Sequence, residues 1–237
     1  MIRKSLPILI LAQLVLCLSA TAADLTIVST VTPSKGSPTT STQYITPTKI
    51  RTSDGRFDTV MDIASGKMLN IDHQKKQYYE TSLEEMRAAF AEVHQMLESN
   101  PMLAKMFGQA ATVQVEQLDG SREIAGYPCK PYRLTIGENF RFEVWAAHDL
   151  EPPYQYYDAR KFVHAAAGPI ASRFDQIYDE MKKLDGFPLA TTMDSKMMGM
   201  NLGSVTEATE VKEGPIDPTV FEPPAGYKKK KSPYEKK

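Results

Sequence analysis

The order of predicted elements is the feature that most constrains the fold of this chain. Short β-branched segments separated by turn residues occupy residues 25–80, and they return at 112–147 and 189–211. Two helical blocks interrupt them, one beginning near Ser82 and one near Asp158. Strands and helices do not alternate as in a parallel sheet. The sequence therefore predicts an α+β protein with one large antiparallel sheet, and with helices that cover one of its faces.

Turn residues predict which strands are neighbours. Ser53-Asp54-Gly55 and Asp119-Gly120 are typical hairpin turns, and Gly137 begins a third turn. Pro33–Ser41 is rich in Pro, Ser and Thr, which predicts a loop. The segments expected to pair across the three turns are 44–50 with 56–63, 112–118 with 122–127, and 129–136 with 140–147.

Each predicted helical segment has one apolar stripe. Ser82 and Glu85 form a capping-box pattern that marks the start of the first helix. A second short helix is expected after Pro101, and the second block is expected to run from 158 to 184. The stripes are Leu83, Met86, Phe90, Val93 and Leu97, then Met102, Leu103, Met106 and Phe107, then Ile170, Phe174, Ile177, Met181 and Leu184.

The N-terminus has the pattern of an export signal. A basic start is followed by an apolar run at 6–18 and by small residues at 19–22. We expect residues 1–22 to be a signal peptide, which would make the protein periplasmic or secreted. Alternatives are an uncleaved anchor helix or lipidation of Cys17. The remainder is predicted to be a single domain at 23–227 with a flexible Lys-rich tail at 228–237. Cleavage would leave Cys129 without a disulfide partner, and we expect this residue to be buried.

The composition favours a protein with a ligand-binding surface and argues against a protein that binds nucleic acid. The formal net charge is −1, so no basic surface for nucleic acid is expected. Leu, Ile, Val and Phe supply 41 of the 215 residues from Ala23 onward, a low share for a packed core. Met and Tyr make up the deficit, and both suit an adaptable pocket wall. We expect that the lysines near the C-terminus can contact anionic lipid.

The sequence gives only weak indications of a catalytic site or a metal site. The sequence has no nucleophile elbow, P-loop, dinucleotide fingerprint or zinc-protease motif, and its four histidines share no site-like spacing. The cluster at 193–200 contains four methionines, whose thioethers suit Cu(I). Strand alternation, however, would place Met193 and Met197 on one side and Met198 and Met200 on the other. Cavity lining is therefore the favoured role.

Three longer stretches and two strands carry a family resemblance. They are 124–132, 186–189 leading into 196–200, 211–216 with 221–227, and the strands Asp58–Asp62 and Tyr78–Glu80. The chain resembles a family of exported bacterial proteins, the domain of unknown function 4412 type, which is similar in layout to the LolA/LolB lipoprotein carriers. The resemblance implies a curved antiparallel sheet, or half-barrel, with helices covering the concave face. It implies no enzymatic activity and no cofactor.

We therefore predict a non-enzymatic protein that binds a lipid, fatty acid or lipoprotein acyl chain between sheet and helices. The tyrosines at 154–157 either rim the pocket mouth or pack at a helix start. Alternatives are an envelope structural or interaction protein without a ligand, or a Met-based Cu(I) binder. The predicted lining residues are Met86, Phe90, Val93, Met102, Met106, Phe140, Phe142, Met193 and Met197.

Overall fold

The computed structural model describes residues 24–99, 112–137, 140–152, 156–165, 172–197 and 200–235. Within these ranges the predicted order of strands and helices is confirmed. The helices are α1 (Leu83–Ser99), α2 (Tyr156–Ala165), α3 (Ser172–Met181) and the 3-10 helix η1 (Pro218–Phe221). The strands are β1 (Leu25–Pro33), β2 (Thr39–Ile45), β3 (Lys49–Ser53), β4 (Phe57–Asp62), β5 (Lys67–Asp72), β6 (Gln77–Ser82), β7 (Val113–Gln117), β8 (Arg122–Ile124), β9 (Tyr127–Ile136), β10 (Phe140–Ala147), β11 (Phe187–Met197), β12 (Met200–Glu213) and β13 (Lys228–Lys229).

All of these strands belong to one sheet. Its order is β13-β6-β5-β4-β3-β2-β1-β12-β11-β10-β9-β7, and β8 also pairs with β9. Neighbours are antiparallel except β13 and β6, which are parallel. In the middle of the sheet, β1 pairs with both β2 and β12, so it joins the N-terminal meander to the C-terminal strands. The predicted class, α+β with a large curved antiparallel sheet, is confirmed.

Alternation along the strands gives the sheet one apolar face. In β10, Phe142, Val144 and Ala146 are buried, whereas Arg141 before them is exposed. In β1, Leu25, Ile27 and Ser29 are buried in the same way. A period of two is what a sheet covered on one side requires.

The helices cover this apolar face through two hydrophobic clusters. In the first, Tyr156, Tyr157 and Ala159 of α2 pack with residues that include Leu25 and Phe187. In the second, Ile177 of α3 packs with strand residues of β9 and β10. Helices α2 and α3 also contact each other. The sheet and the second helical block therefore enclose a shared interior.

The predicted start of α1 is confirmed in detail. The Ser82 N–H donates to Glu85 Oε2 at 2.8 Å, and the Glu85 N–H donates to Ser82 Oγ at 3.1 Å. This reciprocal pair satisfies two amides that the first helical turn would otherwise leave unpaired. The Ser82 amide, the largest cause, holds the pKa of Glu85 below its ordinary value.

A buried carboxylate ties the C-terminal segment to the sheet. Asp58 on β4 is fully buried and accepts a hydrogen bond from the Arg51 guanidinium, which also donates to the Val220 carbonyl in η1. His73 Nε2 lies 2.7 Å from Asp58 Oδ2, and His73 Nδ1 lies 2.9 Å from the Tyr227 hydroxyl. Both η1 and Tyr227 are therefore anchored through one ion-pair network.

The segment after Tyr227 differs from the predicted flexible tail. Lys228 and Lys229 form β13, which pairs with Gln77 and Tyr78 of β6. The Lys229 ammonium is 2.8 Å from a Glu80 carboxylate oxygen. This part of the tail is ordered because the edge of β6 offers unpaired backbone groups that an extended chain can satisfy.

The predicted strand at 44–50 is wrong because a turn divides it. The Thr46 N–H donates to the Lys49 carbonyl at 2.9 Å, and the Lys49 N–H donates to Thr46 Oγ1 at 2.9 Å. Pro47 occupies a turn position that suits its fixed φ. The preceding strand, β2, starts at Thr39 and so takes in the end of the predicted loop at 33–41.

The predicted pairing of 112–118 with 122–127 is also wrong. Strand β7 pairs with β9, with Val113 opposite Ile136, and β8 forms a hairpin with β9 instead. The β8–β9 turn uses Ala125 at φ +50° and Gly126 at φ +87°. Two positive φ values are typical of a tight two-residue hairpin, which explains why the turn lies here. The pairing of 129–136 with 140–147 is confirmed.

Among the described residues, none of the helices combines the length and apolar character needed to span a membrane.

Candidate functional site

A cavity of about 370 Å³ lies between the apolar face of the sheet and helices α2 and α3. This volume is within the range of about 300–1,000 Å³ that is usual for small-molecule sites. Two depressions of about 550 Å³ elsewhere are lined mainly by charged and polar side chains, which suit an apolar ligand less well.

The sheet supplies the floor of the cavity. Ile27 comes from β1, Phe142 from β10 and Met193 from β11, and Phe142 and Met193 are direct cross-strand partners. Two strand irregularities lie close by, between Val28 and Ser29 of β1 and at the end of β10. Such bulges increase the local twist of a strand and change the direction of its side chains.

The helices supply the opposite wall. Helix α3 contributes Ile177, Tyr178 and Met181, and α2 contributes Tyr156, Tyr157 and Arg160. In α2, Arg160 lies three and four positions after the two tyrosines, so all three residues share one side of that helix. One part of the cavity is consequently rich in phenol and guanidinium groups, and the α3 part is more apolar.

Tyr156 organises the α2 wall. Its ring makes edge contacts with the rings of Tyr157 and Phe187, at centroid distances of 5.2 and 5.1 Å. Its hydroxyl donates to Gln43 Oε1 at 3.3 Å and accepts from Arg160 Nε and Nη2 at 3.4 and 3.3 Å. The Arg160 guanidinium also lies 5.5 Å from the ring centroid, a favourable cation–π position.

Tyr157 carries a hydroxyl that none of the described residues pairs. The residue is 6% exposed, and its oxygen has no hydrogen-bond partner among the described residues. Burial, the main cause, raises the pKa of this phenol, so it remains a protonated donor across the physiological range. An unpaired buried donor next to a cavity is a group that a ligand can satisfy.

The structure brings together only part of the predicted lining set. Phe142 and Met193 line the cavity, and Phe140 packs against the cluster beside it. Met86 packs against the other cluster, and the Phe90 ring contacts Tyr234 at a centroid distance of 5.8 Å. Met102 and Met106 lie outside the described residues, as do the side chains of Val93 and Met197.

The main residues that the sequence reasoning omitted are on α2. The tyrosine tract at 154–157 had two interpretations, a pocket rim and a helix start, and Tyr156 and Tyr157 fulfil both. Arg160 was not considered, although its spacing from Tyr156 and Tyr157 was a usable signal once a helix was placed there.

Most of the methionine cluster at 193–200 lies outside the described part of the chain, since Met198 and the side chains of Met197 and Met200 are not described. Met197 and Met200 are direct partners across the β11–β12 turn. In the described part of the chain, no three His, Cys, Asp or Glu side chains are grouped as a metal site would require.

Sequence comparison identifies the family. The domain of unknown function DUF4412 matches residues 39–227, most of the chain. The chain belongs to this family. The resemblance noted from the sequence is therefore confirmed, and the family match ends at Tyr227, the residue that contacts His73. No curated protein matches the chain at the level of sequence.

Three solved structures are similar to this chain at low identity and with TM-scores below 0.5. An uncharacterized conserved protein from Thermus thermophilus is 10% identical with a TM-score of 0.47, and the match covers 89% of this chain and 91% of that one. A LolA superfamily protein, NE2245 from Nitrosomonas europaea, is 10% identical with a TM-score of 0.29, over 85% and 90%. PNGF-II is 15% identical to this chain, with a TM-score of 0.42. The match covers 89% of this chain and 32% of PNGF-II, so this chain spans about a third of the length of PNGF-II. These likenesses concern the fold alone.

Proposed function

We propose that this protein is an exported, non-enzymatic binding protein that holds an apolar ligand, a lipid or an acyl chain, in the cavity between the sheet and helices α2 and α3. The observation that carries the proposal is the cavity itself, about 370 Å³ in volume and walled by apolar side chains from both layers. Phe142, Ile177, Met181 and Met193 supply rings and flexible chains, which adapt to ligands of varied shape.

Export is part of the same proposal and rests on the basic and apolar pattern of residues 1–22. Contact of the Lys-rich segment with anionic lipid also stays a prediction. In the structure, part of the positive charge of this segment is paired, because Lys229 contacts Glu80 and Lys231 contacts Glu235.

The test is displacement of an apolar fluorescent probe from the purified protein by alkyl chains of increasing length. Each buried methylene contributes about 0.8 kcal/mol, or roughly a fourfold change in Kd, until the cavity is full. We therefore expect affinity to rise with chain length and then to level off. Probe binding that is absent, or that does not depend on chain length, would contradict the proposal.

A matched pair of variants locates the site. Thr191 lines the cavity, whereas the adjacent Thr192 is half-buried and does not line it. Alternation along β11 places these two residues on opposite faces of the sheet. Thr191→Trp should fill the cavity and abolish probe binding, and Thr192→Trp should leave it unchanged. Circular dichroism and urea unfolding establish that both variants are folded.

A further inference from the structure

We propose that the ligand is a single-chain amphiphile with a carboxylate head, as in a fatty acid, and that Arg160 and Tyr157 bind this head. The inference rests on the proposed apolar function and adds the chemical class of the ligand and its orientation. Its chain would lie toward α3 and β10, among Ile177, Met181 and Phe142.

Arg160 brings a positive charge to the cavity wall. No carboxylate among the described residues forms an ion pair with it, and its hydrogen bonds there go to a single acceptor, the Tyr156 hydroxyl. A guanidinium has five N–H donors in a planar fork, so most of its donor capacity remains open. A carboxylate matches this fork with two parallel, charge-assisted hydrogen bonds.

Tyr157 provides a second donor on the same side of α2. It lies three positions before Arg160, and its buried hydroxyl has no partner among the described residues. Leaving a buried hydroxyl unpaired costs free energy, which an anionic oxygen of a ligand would recover. Two cavity-lining residues, one cationic and one an unpaired donor, therefore favour the same kind of head.

The shape of the cavity favours one chain. Its volume of about 370 Å³ is near the lower end of the usual range for ligand sites, which suits a single alkyl chain better than a two-chain lipid. The wall of the cavity combines the polar groups of Tyr156, Tyr157 and Arg160 on α2 with the apolar side chains of Phe142, Ile177 and Met181. A ligand with one anionic end and one apolar end satisfies both.

The experiment compares three ligands of equal chain length, decanoic acid, decanol and methyl decanoate, by probe displacement from the full chain at neutral pH. Wild-type protein should bind the acid at least about tenfold more tightly than it binds the alcohol or the ester, as expected for charge-assisted hydrogen bonds. Arg160→Met should remove this preference, because the loss of a charge-assisted hydrogen bond weakens decanoate binding much more than it weakens the binding of the neutral decanol. Arg56→Met removes an exposed cation elsewhere and should have no effect.

Tyr157→Phe separates a ligand-binding role from a structural one. It should weaken decanoate binding severalfold and decanol binding by a smaller factor, because a hydrogen bond to a charged acceptor is the stronger of the two. Because the hydroxyl has no partner to lose in the described part of the protein, the ligand-free variant should be as stable as wild type or more so. A loss of stability in this variant would show that the hydroxyl has a structural partner and would overturn its assigned role.

The outcomes distinguish this inference from the proposed function. Equal binding of acid and alcohol by wild type, or an acid preference that survives Arg160→Met, overturns the carboxylate inference and leaves the apolar cavity intact. Failure of all three ligands to displace the probe overturns both.

Discussion

Gly186 allows two segments of the chain to approach more closely than any other residue would permit. It has φ +116°, and a Cβ at this position would lie 2.1 Å from the Ala147 carbonyl oxygen. Gly186 directly precedes Phe187, which packs on Tyr156 in the cavity wall. The Gly186→Ala variant therefore combines backbone strain with a collision against backbone atoms that have little freedom to move.

Gly120 offers a matched control. It has the same φ of +116°, but a Cβ there would meet nothing within 4 Å. Gly120→Ala should therefore cost only the strain of a disfavoured backbone conformation, about 1–3 kcal/mol. Gly186→Ala adds the cost of overpacking, about 1–3 kcal/mol more. The difference between the two variants isolates the close approach at Ala147.

Urea unfolding measures both variants, with the single tryptophan, Trp145, as the fluorescence probe. Trp145 is two residues from Ala147 and stacks under the Arg122 guanidinium at 4.5 Å, so its signal should report on the packing of this region. We expect Gly186→Ala to be clearly less stable than Gly120→Ala. Equal losses within about 0.5 kcal/mol would refute the reasoning, because strain alone would then explain both.

Three further predictions concern other parts of the fold. Asp58→Ala leaves the Arg51 guanidinium without its carboxylate and should lower the free energy of unfolding by about 3–5 kcal/mol in urea titrations; a loss under about 1 kcal/mol would contradict a buried ion pair. The pKa of Glu85 is lower in the folded state than its ordinary value of 4.5, so its stabilising contribution is complete above that pH and disappears as the pH falls through the folded pKa. The stability difference between wild type and Glu85→Gln should accordingly shrink on acidification below pH 4.5, and a constant difference would argue against the cap. Cys129 is buried and burial raises the pKa of its thiol, so it should react with a thiol reagent only on unfolding; fast reaction of the native protein would place it at the surface.

The features that could be predicted well from the sequence are those that depend on residues close together in the chain. The capping box of Ser82 and Glu85, the hairpin of β9 and β10 and the alternation in β10 each depend on residues a few positions apart, and each is found in the structure. The choice of partner for β7 depends on where β9 lies in the sheet, which is a long-range property. A plausible turn at Asp119-Gly120 therefore favoured the wrong neighbour, whereas the positive φ values at Ala125 and Gly126 mark the actual hairpin.

The candidate site was harder to predict for the same reason. Periodicity identified apolar stripes on both helical blocks, but it did not indicate which block lies over an unfilled part of the sheet. The cavity is lined by α2 and α3, while Met86 of α1 packs against the first hydrophobic cluster without lining the cavity. Apolar periodicity also carries no information about Arg160, whose importance depends on its three-dimensional neighbours.

The pairing of β1 with β12 has a consequence for how the chain can fold. The hydrogen bond from Thr209 Oγ1 to the Val28 carbonyl joins residues 181 positions apart, and this seam lies in the middle of the sheet. The meander from β2 to β6 consists of neighbours along the chain and can assemble early. The seam can form only when the residues of β12 are present, and closing so long a loop slows folding. The two halves of the sheet should therefore join late, and a chain interrupted before β12 should keep β1 as an exposed edge that is prone to pair with other molecules.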